Sequence, residues 1–216
     1  MMTHAVLKRL ESVLGHGESK KRAAQALERM SAHPRSLQPA LARSEDLVAT
    51  FASRAEDHQT VIKRLNQDGL VEAIIDATRQ HNLPGRLFVE PEKFLKKLDF
   101  TGTSLDIVHD KPGPKDLIGL SLGAAAIAET GTLVMHSGRD RMTTLNFVPE
   151  HHIVVLKASS IVGSLDDVWP LMRKRKVFPR AVNFITGPSR TGDIEQTLFL
   201  GAHGPRSHHI LILDDA

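Results

Sequence analysis

The chain has 216 residues, 41% of them hydrophobic and 25% charged, with a formal net charge of only +3. That length allows one large or two small domains burying roughly 70–75% of the unfolded surface, and no apolar run reaches the ~18 residues of a membrane helix. The absence of cysteine excludes disulfides, thiolate zinc sites, a cysteine nucleophile and Cys-ligated iron–sulfur clusters held by this chain alone.

The first ten residues lack a continuous apolar segment before a small-residue cleavage site, so they read as mature sequence of a soluble, cytoplasmic protein. Thr3 is placed to cap an amphipathic helix with Val6, Leu7, Leu10, Val13 and Leu14 on one face, which Gly15 and Gly17 stop. From Arg29 periodicity fades and Pro34 and Pro39 follow, the pattern of a linker. Residues 1–44 therefore read as an N-terminal helical arm with its linker, and 45–216 as the core domain.

Ser44, Glu45 and Asp46 precede Leu47, Val48, Phe51, Ala52 and Ala55, a helix start with a cap and negative charge at its amino end. Asp68 caps a second helix whose stripe is Leu70, Val71, Ile74, Ile75 and Thr78, ended by Asn82-Leu-Pro-Gly85. A strand over 86–89, a small helix from Pro91 to Leu98 and a strand over 105–108 follow. The apolar segment 117–136 is divided by Glu129-Thr130-Gly131, and its glycines and β-branched residues favour strand, turn and strand over one helix. Strands at 153–156, 181–185 and 210–213 complete the pattern, with a capping box, Ser164 to Asp167, opening a helix that contains Pro170. Short apolar runs alternating with amphipathic helices indicate an α/β domain with a largely parallel sheet, one pair of which the Glu129 turn can make antiparallel.

Ligands of open α/β sheets bind beyond the carboxyl ends of strands, which draws attention to three polar loops. In Gly187-Pro-Ser-Arg-Thr-Gly-Asp193, the glycines, Ser189, Thr191 and the Arg190 guanidinium suit a phosphate or carboxylate, and Asp193 with Gln196 forms a capping-box pattern that adds a helix start. The same residues also serve ordinary turns. Asp193-Ile194 stands where a Walker loop needs Lys and Ser or Thr, so nucleotide hydrolysis by that route is excluded. In the second loop Glu129 is a candidate base or nucleophile beside Thr130, Gly131 and Thr132, or a structural acid tying loops together. In the third, His203, Gly204 and Arg206 are candidates for the same site, with turn closure as the alternative for His203. The adjacent pairs His151-His152 and His208-His209 point to opposite faces of a strand and make poor chelates, so no metal is expected. The basic run Arg173 to Lys176, without interleaved aromatics, reads as a solvated helix end and not as a nucleic-acid stripe.

The segments AAIAETGTLVMHSG (125–138), FVPEHHIVVL (147–156), ITGPSRTGDIEQTLFLGAHGP (185–205) and the terminal HHILILDD closely resemble the lactate-utilisation protein C family, whose shared module is the LUD domain. The resemblance is strongest over about 105–215. It implies a Rossmann-like three-layer fold akin to glucosamine-6-phosphate deaminase, ribose-5-phosphate isomerase and the CoA transferases. It also implies an accessory role in bacterial growth on L-lactate, beside iron–sulfur partner proteins that oxidise lactate to pyruvate. A chain without cysteine fits the partner that has no redox centre, and no cofactor of its own is expected. On this reading Ser189, Arg190 and Thr191 hold a small anion with Glu129 and Arg206 framing it, and the arm contacts another chain. The alternative is an enzyme acting on a sugar phosphate or acyl-CoA. Glu129-Thr130-Gly131 resembles the Glu-x-Gly turn of family I CoA transferases, although the acid-Asn-Gly order and the Gly-rich oxyanion loop of those enzymes have no counterpart here.

Overall fold

The computed structural model describes residues 19–32, 44–79, 85–110, 112–113, 117–191, 199–201 and 203–214. The chain divides into two units, residues 1–37 and 38–216. Within the first, helix α1 (Ser19–Ala32) has an exposed Leu27, and Ser31 Oγ donates to the Glu28 carbonyl at 2.9 Å. It extends past Arg29, where a linker was expected, because a polar sequence rich in Ala, Lys, Arg and Glu has high helix propensity without an apolar stripe. The amphipathic helix expected over Val6–Leu14 lies outside the described residues.

In the second unit Asp46 accepts from the Ala49 amide at 2.9 Å and opens α2 (Leu47–Asp57). Gln59, at φ +63°, ends the turn beyond it. Then come β1 (Val61–Leu65), α3 (Leu70–Arg79), β2 (Arg86–Val89), β3 (Asp106–Val108) and β4 (Ile118–Leu122). Next are β5 (Ala125–Ile127), β6 (Thr132–His136), β7 (His151–Lys157), β8 (Ile161–Val162), α4 (Leu165–Arg173) and β9 (Val182–Ile185). The short pair β10 (Arg190–Thr191) and β11 (Phe199–Leu200) and the long β12 (Ser207–Leu213) complete the order. The helix expected from Pro91 is reduced to a single tight turn at Leu95–Lys97, and β1 is an addition.

Six strands form one parallel sheet in the order β1-β12-β7-β4-β2-β3. Alternation along the central strands supplies both faces. Ile153, Val155, Leu211 and Leu213 pack under α3 through Leu70, Ala73, Ile74 and Ala77. Val154, Leu156, Ile210 and Ile212 face Phe51 and Ala55 of α2 together with Ala126, Leu133 and Met135. Those last three belong to a second sheet, β8-β5-β6-β9, in which the Glu129 turn makes β5 and β6 antiparallel. Its far face, Ala125, Ile127 and Val134, is covered by Val168 and Met172 of α4. The sheets meet closely at Gly123, where a Cβ would lie 2.9 Å from Leu156 Cδ1 and 3.1 Å from Leu133 Cδ1. The α/β, Rossmann-like layered architecture expected from the sequence is therefore present, with the turn strands drawn off into a sheet of their own.

At the amino ends of the central strands His152 and His208, opposite each other in register, stack at 5.4 Å between ring centroids. His152 Nε2 lies 3.1 Å from Ser121 Oγ. Burial lowers both pKa values first, and then His208 lowers that of His152 and His209 that of His208, which falls to about 4. An unfolded histidine titrates near 6.5, so between pH 6.5 and 4 the unfolded chain binds a proton the folded one refuses and stability falls as pH falls. The His208 share is about 3 kcal/mol. Urea unfolding measured across that window should show the slope, and His208→Leu should flatten it.

Candidate anion-binding site

The carboxyl edge of the parallel sheet is organised around one buried acid. Glu90 directly follows β2 and is only 2% exposed. Its Oε2 accepts from the Leu122 amide at 3.1 Å, at the end of β4, and from Arg141 Nη1 at 3.3 Å; its Oε1 accepts from the Met142 amide at 3.0 Å. Burial raises its pKa, while the Arg141 charge and the two amides pull it down. Arg141 also donates to the Leu122 carbonyl. This fixes the turn Ser137-Gly138-Arg139-Asp140-Arg141, in which Gly138 and Arg141 bridge, just beyond the last residue of β6, His136.

That turn forms one wall of a cleft of about 580 Å³, and the segment Arg175 to Arg180 beyond α4 forms the other. Arg139, Arg141, Arg175 and Arg180 line it, against Glu92 and Asp140. Among the described residues Arg139, Arg175 and Arg180 have no ion-pair partner, while Arg141 has Glu90. Partial loss of water around the guanidinium and, second, the Arg141 charge lower the Arg175 pKa. His136 is buried, and its Nδ1 lies 3.0 Å from the Ser137 carbonyl. Burial leads the downward shift of its pKa, with Arg175 and Arg141 adding to it. Nδ1 of the neutral ring donates to that carbonyl, which leaves Nε2 as a buried acceptor without a partner in the structure. Like charges gathered around a concave surface stabilise a bound anion and destabilise the empty site. A larger hollow of about 650 Å³ on the same edge has Asp68 and Asp214 against Lys157, which does not favour an anion.

The three loops read from the sequence lie elsewhere. Glu129 Oε1 accepts from the Leu165 amide at 3.3 Å, at the first turn of α4, and its Oε2 is buried without a hydrogen-bond partner in the structure. Thr130 is linked through Thr132 to Thr186 by hydroxyl contacts of 2.7 and 2.8 Å. Gly131 packs on the backbone of Arg54 and Ala55, and Gly187 on His58, so both turns meet the carboxyl end of α2. Arg190 donates to the His58 carbonyl at 2.9 Å, and Thr191 pairs with Phe199 across the β10–β11 ribbon. The Ser189 amide donates to the Pro205 carbonyl at 2.7 Å, and a Cβ on Gly204 would sit 3.3 Å from Ser189 Cβ, which joins the second and third loops. His203 is exposed, and Arg206 pairs with Glu150 at 3.9 Å. Asp193 lies outside the described residues. The structure thus brings Ser189, Gly204 and Pro205 together and sets Gly131 and Gly187 on one helix end, while the hydrogen bonds of Glu129 and Arg190 run to α4 and α2 respectively.

Residues 116–213 match the family model of the LUD domain. Over these residues the chain is similar to the LUD domain. The match spans β4 to β12 and so includes His136 and all four cleft arginines, whereas Glu90, directly after β2, lies before it. Curated relatives are similar to this chain as well. "Lactate utilization protein C" of Anoxybacillus flavithermus is 37% identical over 45% of this chain and 44% of its own length. "Lactate utilization protein C 1" of Bacillus mycoides is 26% identical over 79% of this chain and 80% of its own. In the first of these matches the chain spans less than half of the relative's length. A crystal structure of a DUF162 family protein from Deinococcus radiodurans superposes with a TM-score of 0.59 at 20% identity, over 77% of this chain and 96% of that one, a likeness of fold. The LUD domain resemblance read from the sequence is therefore upheld. The cleft had a legible signal, a polar Gly-Arg-Asp-Arg loop directly after an apolar strand, the same criterion that picked out the other three loops.

Proposed function

We propose that this chain is an accessory, anion-binding component of lactate utilisation, acting in the cytoplasm beside iron–sulfur partner proteins that oxidise L-lactate to pyruvate. The names of the relatives support the pathway, and a chain without cysteine fits a role outside the electron transfer. The observation that carries the anion reading is the meeting of Arg139, Arg175 and Arg180 with the Glu90-anchored Arg141 around one cleft. Inorganic phosphate should raise the melting temperature of the protein more than chloride at equal ionic strength. Arg175→Ala should weaken phosphate binding by about 1.5–3 kcal/mol, the worth of a hydrogen bond to a charged group, or roughly 10- to 150-fold. Calorimetric titration reads this directly, and equal affinity in the variant removes the cleft from the proposal. In the source organism, loss of the gene should slow growth on L-lactate, with rescue by the wild-type gene.

A catalytic role for Glu129 on a sugar phosphate or acyl thioester is the second reading, favoured by its buried, unpartnered Oε2. It requires a turnover that Glu129→Gln abolishes while leaving the melting temperature in place. No described helix is long and apolar enough to cross a membrane.

A further inference from the structure

The cleft differs in size and lining from what a three-carbon hydroxy acid needs. Its volume of about 580 Å³ lies inside the ~300–1,000 Å³ range of pockets for drug-sized and cofactor-sized ligands. A molecule as small as lactate would leave most of that space to water. One wall is cationic, and the other carries Val177, Phe178 and Pro179 between Arg175 and Arg180. Val177 is 81% and Phe178 53% exposed, large apolar groups held in water beside guanidiniums. Adjacent exposed apolar residues at the rim of a charged cleft mark a surface that a ligand covers.

We infer that the ligand of this cleft is a phosphate ester or diphosphate joined to an aromatic or hydrocarbon group, with the phosphate among the arginines and the apolar part against Val177 and Phe178. This inference rests on the anion reading of the cleft and narrows it. Guanidinium forks match the tetrahedral, multiply charged phosphate through paired N–H donors. Three of them without ion-pair partners among the described residues offer more paired N–H forks than one carboxylate accepts bidentately.

Calorimetric titration at fixed ionic strength separates the alternatives, with inorganic phosphate, inorganic pyrophosphate, phenyl phosphate and L-lactate as probes. The proteins are the wild type, Arg175→Ala and Phe178→Ala, each checked for fold by circular dichroism. Pyrophosphate should bind at least about tenfold more tightly than L-lactate. Phenyl phosphate should bind about five- to tenfold more tightly than phosphate, from burial of its ring. Phe178→Ala should lose that gain and bind phosphate as the wild type does. If L-lactate equals pyrophosphate, or if the phenyl group adds nothing or adds as much in Phe178→Ala, the inference is overturned and the anion reading stands. If phosphate and pyrophosphate fail to bind, or bind Arg175→Ala unchanged, both fall.

Discussion

Glu90→Ala should lower the unfolding free energy by about 3–5 kcal/mol, the cost of leaving a buried ion-pair partner alone. The Arg141 side chain is 14% exposed and has Glu90 as its carboxylate, so removal of the acid leaves a largely buried guanidinium without its counter-charge. The amides of Leu122 and Met142 lose their acceptor at the same time, and unsatisfied buried donors carry a penalty of their own. Because these three donors tie β2, β4 and the 138–142 turn together, phosphate affinity should fall with stability. Urea denaturation gives the energy. A loss under about 1 kcal/mol, the worth of an exposed pair, would refute the anchoring role. The double variant Glu90→Leu with Arg141→Met should be more stable than Glu90→Ala, since it removes both charges and fills the space, yet should not recover phosphate binding.

Gly131→Ala should be comparably damaging, for a backbone reason. Gly131 has φ +63°, and a Cβ there would stand 2.4 Å from the Ala55 nitrogen and 2.5 Å from the Arg54 carbonyl carbon. The left-handed backbone costs a side-chain-bearing residue about 1–2 kcal/mol, and forcing the turn off α2 adds about 1–3 kcal/mol of overpacking. Gly102 is the internal control: it has φ +77° with nothing within 4 Å of a built Cβ. Gly102→Ala should therefore pay only the backbone term. Equal melting temperatures for the two variants would show that the close packing of the Glu129 turn on α2 contributes nothing.

What the sequence revealed follows from how many faces each element buries. Strands β7 and β12 are buried on both sides and read as runs of Ile, Val and Leu. The capping box at Ser164 and the Asp46 cap announce their helices through local hydrogen bonds that need no tertiary context. Strand β1 lies at the edge of the sheet and carries the exposed Lys63 and Arg64, so its alternation is blurred. Leu133 and Val134 look alike in sequence, yet one faces the parallel sheet and the other α4. Periodicity reports burial and not which layer does the burying, so the second sheet was hidden. One loop of the cleft carried a signal, but the cleft as a whole was hidden for a different reason. It joins residues near positions 90, 136–141 and 175–180, and only the strand order sets them side by side. In the structure the Glu129 turn bonds to the first turn of α4 and the Gly187 turn packs on the residue that follows α2.

The most direct test is where an electron-dense oxyanion settles in the folded protein. In crystals soaked with sodium tungstate, the strongest anomalous peak should lie in the cleft, within hydrogen-bonding reach of Arg139, Arg175 or Arg180. A peak instead at the Gly187–Thr191 turn or at the first turn of α4, with none in the cleft, would contradict the account.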